Sequence, residues 1–283
     1  MQPEASTFLY QQYKNYLFSI AYNMLGNAQE AEDLVHDVFE RWLRLRREVT
    51  DEKAYLSRMI VNGAINRLEK RKLETYPGPW LPEPFIEDNA APENSDILSY
   101  AMLVLLEQLN PIERAVVILR ESFDHSYDEI AAICGIRSDN ARQVLHRAKE
   151  KLRRPVRRPT DADRNKHKKL LEQFIRASLS GKPEQLQALL HQDIIMYADG
   201  GGKVSAASRP LEGALAVSRF FAGYGSRPEA ADVSWSLETA NGTPALFMYL
   251  HDSLISIFMI ETEGDQISKL YVMRNPDKMP YGK

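Results

Sequence analysis

Of the 283 residues only one is a cysteine, Cys134, so neither an intrachain disulfide nor a cysteine-based metal cluster can form. Nowhere do roughly 18 apolar residues run uninterrupted, which excludes a helical membrane span. The opening residues MQPEASTFLYQQYKNYLF lack the basic start and apolar stretch of a secretion signal, so a cytoplasmic protein without membrane contact is expected. A large excess of one charge is missing too: the net charge of -3 argues against uniform coating of nucleic acid. Charge is segregated, however. Between residues 83 and 107 there is acid and no base (Glu83, Glu87, Asp88, Glu93, Asp96, Glu107), whereas residues 137–169 are dominated by base, including Arg153, Arg154, Arg157 and Arg158.

The most informative stretch is 126–153, SYDEIAAICGIRSDNARQVLHRAKEKLR. Ile130, Ala131 and Cys134 give a first helix its apolar face, Gly135 supplies a turn that a side chain would obstruct, and Ile136 plugs the corner. From Ser138, read as an N-cap, a second helix places Ala141, Val144, Leu145, Ala148 and Leu152 on one face. Its other side carries Asp139, Gln143, His146 and Arg147, flanked by Asn140, Arg142 and Lys149, side-chain types that reach base edges and phosphates. The spacing is that of a DNA-binding helix-turn-helix; an ordinary helical hairpin with a solvated charged face is the alternative.

Residues 7–72 read as helices only. In the second of them Ala31, Leu34, Val35, Val38, Phe39 and Trp42 form the buried stripe, and Glu30, Asp33, His36, Asp37 and Glu40 the opposite face. The third starts near Asp51 and ends basic, through Arg67, Lys70, Arg71 and Lys72. Prolines at 77, 79, 82, 84 and 92 then forbid a continuous helix and mark an extended linker, yet Trp80, Leu81, Phe85 and Ile86 make it too apolar for an idle tether. Trp80 is the expected anchor, because an aromatic buries much area at modest entropic cost. Pro111 opens a further helix. Beyond Pro159, helices near 162–180 and 183–191 precede strand-like runs at 194–197, 233–238, 245–250, 254–261 and 267–274, with turn signals at Asn241-Gly242 and Glu263-Gly264-Asp265. The expectation is an α+β domain with a curved antiparallel sheet and helices on one face.

Together these features resemble the extracytoplasmic-function sigma factors of bacterial RNA polymerase over roughly residues 7–154. The run from Ala31 through Phe39 is similar to the family's clamp-binding helix, Ala54-Tyr55-Leu56 to the start of its −10 helix, and Leu109-Asn110-Pro111-Ile112-Glu113-Arg114 to the start of region 4. His36 stands where the family has Gln and Asn66 where Asp is usual. Three further motifs resemble markers of a subgroup with a fused SnoaL-like cone domain: Trp80-Leu81-Pro82-Glu83-Pro84, Asp199-Gly200-Gly201-Gly202-Lys203 and Asn275-Pro276-Asp277-Lys278.

The resemblance implies a multidomain chain of two all-α sigma domains and a C-terminal α+β cone: region 2 at 1–75, a linker at 76–95, region 4 at 96–158 and the cone at 159–283. It implies polymerase contact through Asp33, His36, Asp37 and Glu40, −10 contact through Asn62, Asn66, Arg67, Lys70 and Arg71, and −35 contact through the 138–149 face. The expected partners are polymerase core and promoter DNA, with the three marker motifs docking the cone on the linker and no separate anti-sigma protein. No cofactor, metal or catalytic residue is expected. Tyr197, Asp199, His251 and Asp252 are acid-base types, but Asp199 before three glycines reads as structural or interface-forming, His251-Asp252 as a hairpin turn, and His191 as a helix end. A small molecule in the cone is left open; Phe220, Phe221, Trp235, Phe247, Tyr249, Phe258 and Tyr271 line a pocket or, the preferred reading, fill a core. The rival readings are a repressor that never touches polymerase and a ligand-sensing or enzymatic cone with an accessory DNA-binding region.

Overall fold

The computed structural model describes residues 3–45, 49–86, 96–153, 160–225 and 231–279. They divide into two compact units, one formed by Met1–Thr75, Asn89–Leu98 and Met102–Arg157, the other by Tyr76–Asp88, Ser99–Ala101 and Arg158–Lys283.

The first unit is helical. Helix α1 (Pro3–Leu25) stops at Gly26, whose positive φ of 64 lets its N–H turn back to the Tyr22 carbonyl. Asn27 then caps α2 (Ala28–Leu43) by accepting from Glu30 N at 2.7 Å, and the anticipated stripe from Ala31 to Trp42 is buried. Asp51 caps α3 (Glu52–Arg71). A Cβ at Gly63 would stand 2.5 Å from Leu34 Cδ1, so the bare backbone there is what lets α2 and α3 approach closely. After α4 (Tyr100–Leu106), a capping box of Asn110 and Glu113 with Pro111 in the first turn starts α5 (Pro111–Glu121). A second box, Ser126 and Glu129, starts α6 (Tyr127–Cys134); Gly135 turns at φ 68 into α7 (Ser138–Leu152). Arg114, 3% exposed, donates to the Leu106 and Met24 carbonyls and pairs with Glu107 at 2.8 Å, joining the ends of α1 and α4 to α5. A buried cation with its donors filled is tolerable where a lone one is not.

In the second unit α8 (Asp161–Leu179) and α9 (Pro183–Leu189) lead into β1 (Leu190–Asp199), a short β2 (Leu211–Glu212), α10 (Ala214–Gly225), and then β3 (Val233–Ala240), β4 (Thr243–Leu250), β5 (Ser253–Glu263) and β6 (Gln266–Met273). The sheet order is β2-β1-β6-β5-β4-β3. The last four strands form an antiparallel meander, but β1 joins β6 in parallel, so the sheet is mixed where an antiparallel one was expected. A parallel neighbour needs a crossover, and the chain from β1 to β3 through α10 supplies the length. Helix α10 was not anticipated. Three tight turns follow their residues: Asn241-Gly242 and His251-Asp252 have positive φ in pairs, and Gly264 has φ 54. One sheet face packs Met196, Leu246, Phe258 and Val272 against Phe174 and Phe221 of α8 and α10. Tyr197 and Tyr271, alternating with those residues, lie on the other face and stack at 5.9 Å. His191 sits at the start of β1 and not at a helix end.

Candidate nucleic-acid interface and linker clasp

On α2 the expected contact residues Asp33, His36, Asp37 and Glu40 are all exposed. They are not equivalent. Asp37 pairs with Arg67 of α3 at 2.8 Å, Glu40 with Arg44, and His36 stacks on Tyr10, whereas Asp33 has no ion pair among the described residues. On α3, Asn62, Asn66 and Lys70 form an exposed stripe at four-residue steps. Arg67 and Arg71 are turned away from that stripe's solvent: Arg67 also donates to the Glu30 carbonyl, and Arg71 holds the Glu30 carboxylate at 3.0 Å and the Leu25 carbonyl at 2.9 Å. Their charge ties α3 to α2.

Helix α7 divides cleanly. Ala141, Val144, Leu145, Ala148 and Leu152 are buried; Asp139, Asn140, Arg142, Gln143, His146, Arg147 and Lys149 are exposed. Ser138 is the first helical residue instead of the cap, a place taken by Arg137 without a side-chain bond, which leaves the amides of this N-terminus open. Arg142 lies over the Tyr127 ring at 4.9 Å and Lys149 pairs with Glu121 at 2.7 Å, so both are held from α6 and α5. Cys134 is buried, and burial pushes its thiol up to about 12, an inert group. Arg154, Arg157 and Arg158 lie outside the described residues.

Within the same unit α1 and α3 pack on α5 and α6. Tyr16 bonds Ser57 at 3.0 Å and His125 at 2.8 Å, and its ring meets Phe123 edge-on. Burial holds the His125 imidazole below its usual range; Glu129 opposes this and Lys53 adds to it.

In the second unit residues 76–86 are laid along the cone domain. Asp199, 1% exposed, is the centre: its carboxylate accepts from Tyr76 Oη at 2.5 Å, Leu81 N at 3.0 Å, Gly201 N at 2.9 Å and Lys278 Nζ at 2.8 Å. Lys278 also donates to the Leu81 carbonyl at 2.8 Å and stands 4.1 Å above the Trp80 ring. The Asn275 amide donates to Tyr76 Oη, and Lys203 pairs with Asp277 at 2.6 Å. Burial, then the neighbouring carboxylate, raises the Tyr76 phenol far above its usual value, so it stays a donor. The three glycines are needed in place: a Cβ on Gly200 would meet the Val204 carbonyl at 2.5 Å, one on Gly201 would strike Asn275 at 2.5 Å, and one on Gly202 would reach Pro77 at 2.8 Å.

The anchor is Leu81, 1% exposed, with Pro82 and Pro84 buried beside it; Trp80 is only half-buried and serves as the platform for Lys278, and Glu83 is likewise half-buried. Further on, Phe85 and Asn241 exchange two hydrogen bonds at 3.0 and 2.8 Å, and Tyr100 Oη donates to the Pro82 carbonyl. Tyr76, Tyr100 and Asn241 were not anticipated as interface residues, since nothing local marks a distant partner. Asp199 is thus structural, His251 and Asp252 sit exposed in a turn, and no group of three metal-ligating side chains occurs among the described residues. Of the seven aromatics considered for a cone pocket, Phe220, Phe221 and Phe258 border a cavity of about 50 Å³.

The chain matches the family models Sigma-70 region 2 over residues 9–74 and Sigma-70, region 4 over 99–152. It is 29% identical over 223 residues to the ECF RNA polymerase sigma factor SigJ of Mycobacterium tuberculosis, covering 76% of this chain and 71% of that one. With the RNA polymerase sigma-E factor of Streptomyces coelicolor the identity is 31% over 150 residues, 52% of this chain and 83% of the relative. The crystal structure of Mycobacterium tuberculosis SigJ superposes with a TM-score of 0.76 at 26% identity, covering 97% of both chains.

Proposed function

The chain belongs to the extracytoplasmic-function sigma factors and directs transcription initiation by RNA polymerase, and on that premise we propose that its cone domain controls it in cis by clasping the linker between regions 2 and 4. The observation that carries this reading is the buried Asp199, whose carboxylate is filled by the linker and by the tail residue Lys278. A linker that only connected two domains would have no reason to satisfy a buried carboxylate.

Chain length supplies the mechanism. Promoter elements centred near −10 and −35 lie about 25 base pairs apart, roughly 85 Å along the duplex. A free connection from Thr75 to Ser99 can stretch to about 85 Å, whereas with residues up to Ile86 pinned the remainder reaches only about 45 Å. Release of the clasp therefore lengthens the tether to what two-site binding requires. The packing of Tyr16 on His125 fits a closed state that must open at the same time, because Tyr16 of α1 bonds both Ser57 of α3 and His125, and α3 packs on α6 of the helix-turn-helix.

In the open state Asp33 and its neighbours on α2 would meet polymerase, the Asn62-Asn66-Lys70 stripe would hold the displaced strand, and the N-terminal half of α7 would enter the −35 major groove. Arg67 and Arg71 contribute by fixing α3 on α2, with DNA contact secondary. The test is run-off transcription by polymerase core with the full chain and with Leu81→Ala. Core alone should give no specific transcript, the full chain a basal yield, and Leu81→Ala several-fold more, with faster proteolysis inside 76–86. Faster proteolysis with an unchanged yield would remove control by the clasp.

A further inference from the structure

The cavity in the cone lies between α8, α10 and the inner sheet face, walled by Phe174, Phe221, Phe258 and Met196. Its two hydroxyls are turned to the main chain: Ser178 Oγ donates to the Phe174 carbonyl at 2.8 Å and Ser256 Oγ to the Ile255 carbonyl at 2.7 Å. One charged side chain is on the wall, Arg274. Its guanidinium donates to the Ser205 carbonyl through Nη1, but its buried Nε–H has no acceptor among the described residues. A buried donor of a permanently charged group without a partner is costly, and native proteins rarely leave one.

We propose that this cavity binds a small monocarboxylic acid, its carboxylate on Arg274 and its aliphatic or aromatic body among the phenylalanines. The apolar wall selects a body without further polar groups, and the single cation selects one negative charge. The enclosed space is small: about 50 Å³ holds three or four water-sized groups. That holds the three-carbon tail of an acid of butyrate size with its carboxylate on Arg274, and Phe220, 45% exposed and also on the wall, is placed to swing for a longer one.

The site is also wired to the clasp, a part of the proposal that rests on the reading of the clasp as regulatory. Arg274 directly follows β6; its N–H donates to the Asp199 carbonyl at 2.8 Å, and the next residue, Asn275, holds Tyr76. A carboxylate drawing on the guanidinium acts on the same short segment that carries Lys278. By linkage, an acid that favours one state of the clasp must bind with a different affinity when the clasp is broken.

The experiment is calorimetric titration of the full chain with butyrate and benzoate, using butylamine and benzamide as controls. Saturable binding of an acid and of neither control is expected, reduced at least tenfold in Arg274→Gln. Because Arg274→Gln also loses the bond to Ser205, Ala207→Leu provides a second variant that fills the cavity without touching the cation, and it should abolish binding as well. No saturable binding, or binding by both variants as tight as by the unaltered chain, overturns the site. Asp199→Asn should change the affinity for the acid by threefold or more in either direction; an unchanged affinity overturns the coupling alone. The clasp reading stands or falls separately, on the Leu81→Ala transcription result.

Discussion

The α2–α3 seam of the helical unit and the clasp of the second unit use opposite kinds of charge pairing. In the helical unit the pairs that join α2 to α3 are half in solvent, with Arg67 and Asp37 side chains 28% and 51% exposed. In the clasp, Lys278 and Asp199 are 7% and 0% exposed and are saturated by main-chain partners. An exposed pair is weak, adjusts to salt and can be exchanged for a phosphate. A buried pair is costly to break from one side. The surface proposed to meet polymerase and DNA is thus built from replaceable contacts, and the clasp proposed to restrain it from contacts that yield as a unit.

The largest effect expected from breaking this contrast is Asp199→Ala, which leaves Lys278 buried without its counter-charge and should destabilise the second unit by about 3–5 kcal/mol. Thermal unfolding with linker proteolysis checks this; a loss below 1 kcal/mol would mean that the pair is no more than a surface contact. An intermediate effect is expected from acid. His125 is held below its ordinary pKa mainly by burial, so its contribution is present above the unfolded value near 6.5 and is lost as pH falls below it. The protection of the α6 amides against hydrogen exchange, each rate taken relative to its intrinsic rate at the same pH, should fall between pH 7 and 5, and a His125→Gln variant should show a flatter profile. The smallest belongs to Arg67→Gln: no more than about 1 kcal/mol of stability at low ionic strength, vanishing in high salt.

Periodicity made the helical unit legible. The buried positions of α2 and α7 fall where a 3.6-residue repeat puts them, and Asn110, Ser126 and Gly135 mark their own helix ends. The clasp was legible as three motifs but not as a geometry, since the linker and the residues that hold it are separated by more than a hundred residues. Trp80 and Leu81 show the limit: successive residues of an extended segment point to opposite sides, and composition does not say which side faces the protein. The resemblance implies DNA contact for Arg67 and Arg71, and charge alone does not show that both side chains pair across to α2, with Asp37 and Glu30. Helix α10 went unread because its Phe220-Phe221 pair and two glycines imitate a strand and a turn.

The clasp closes on Lys278, which is made long after the linker it grips. At about 5–20 residues per second, some six to twenty-five seconds of synthesis separate Arg153, where the helix-turn-helix is complete, from that lysine. Under the proposed control, every newly made molecule therefore passes through a youth in which both helices proposed to read the promoter exist and the lock does not.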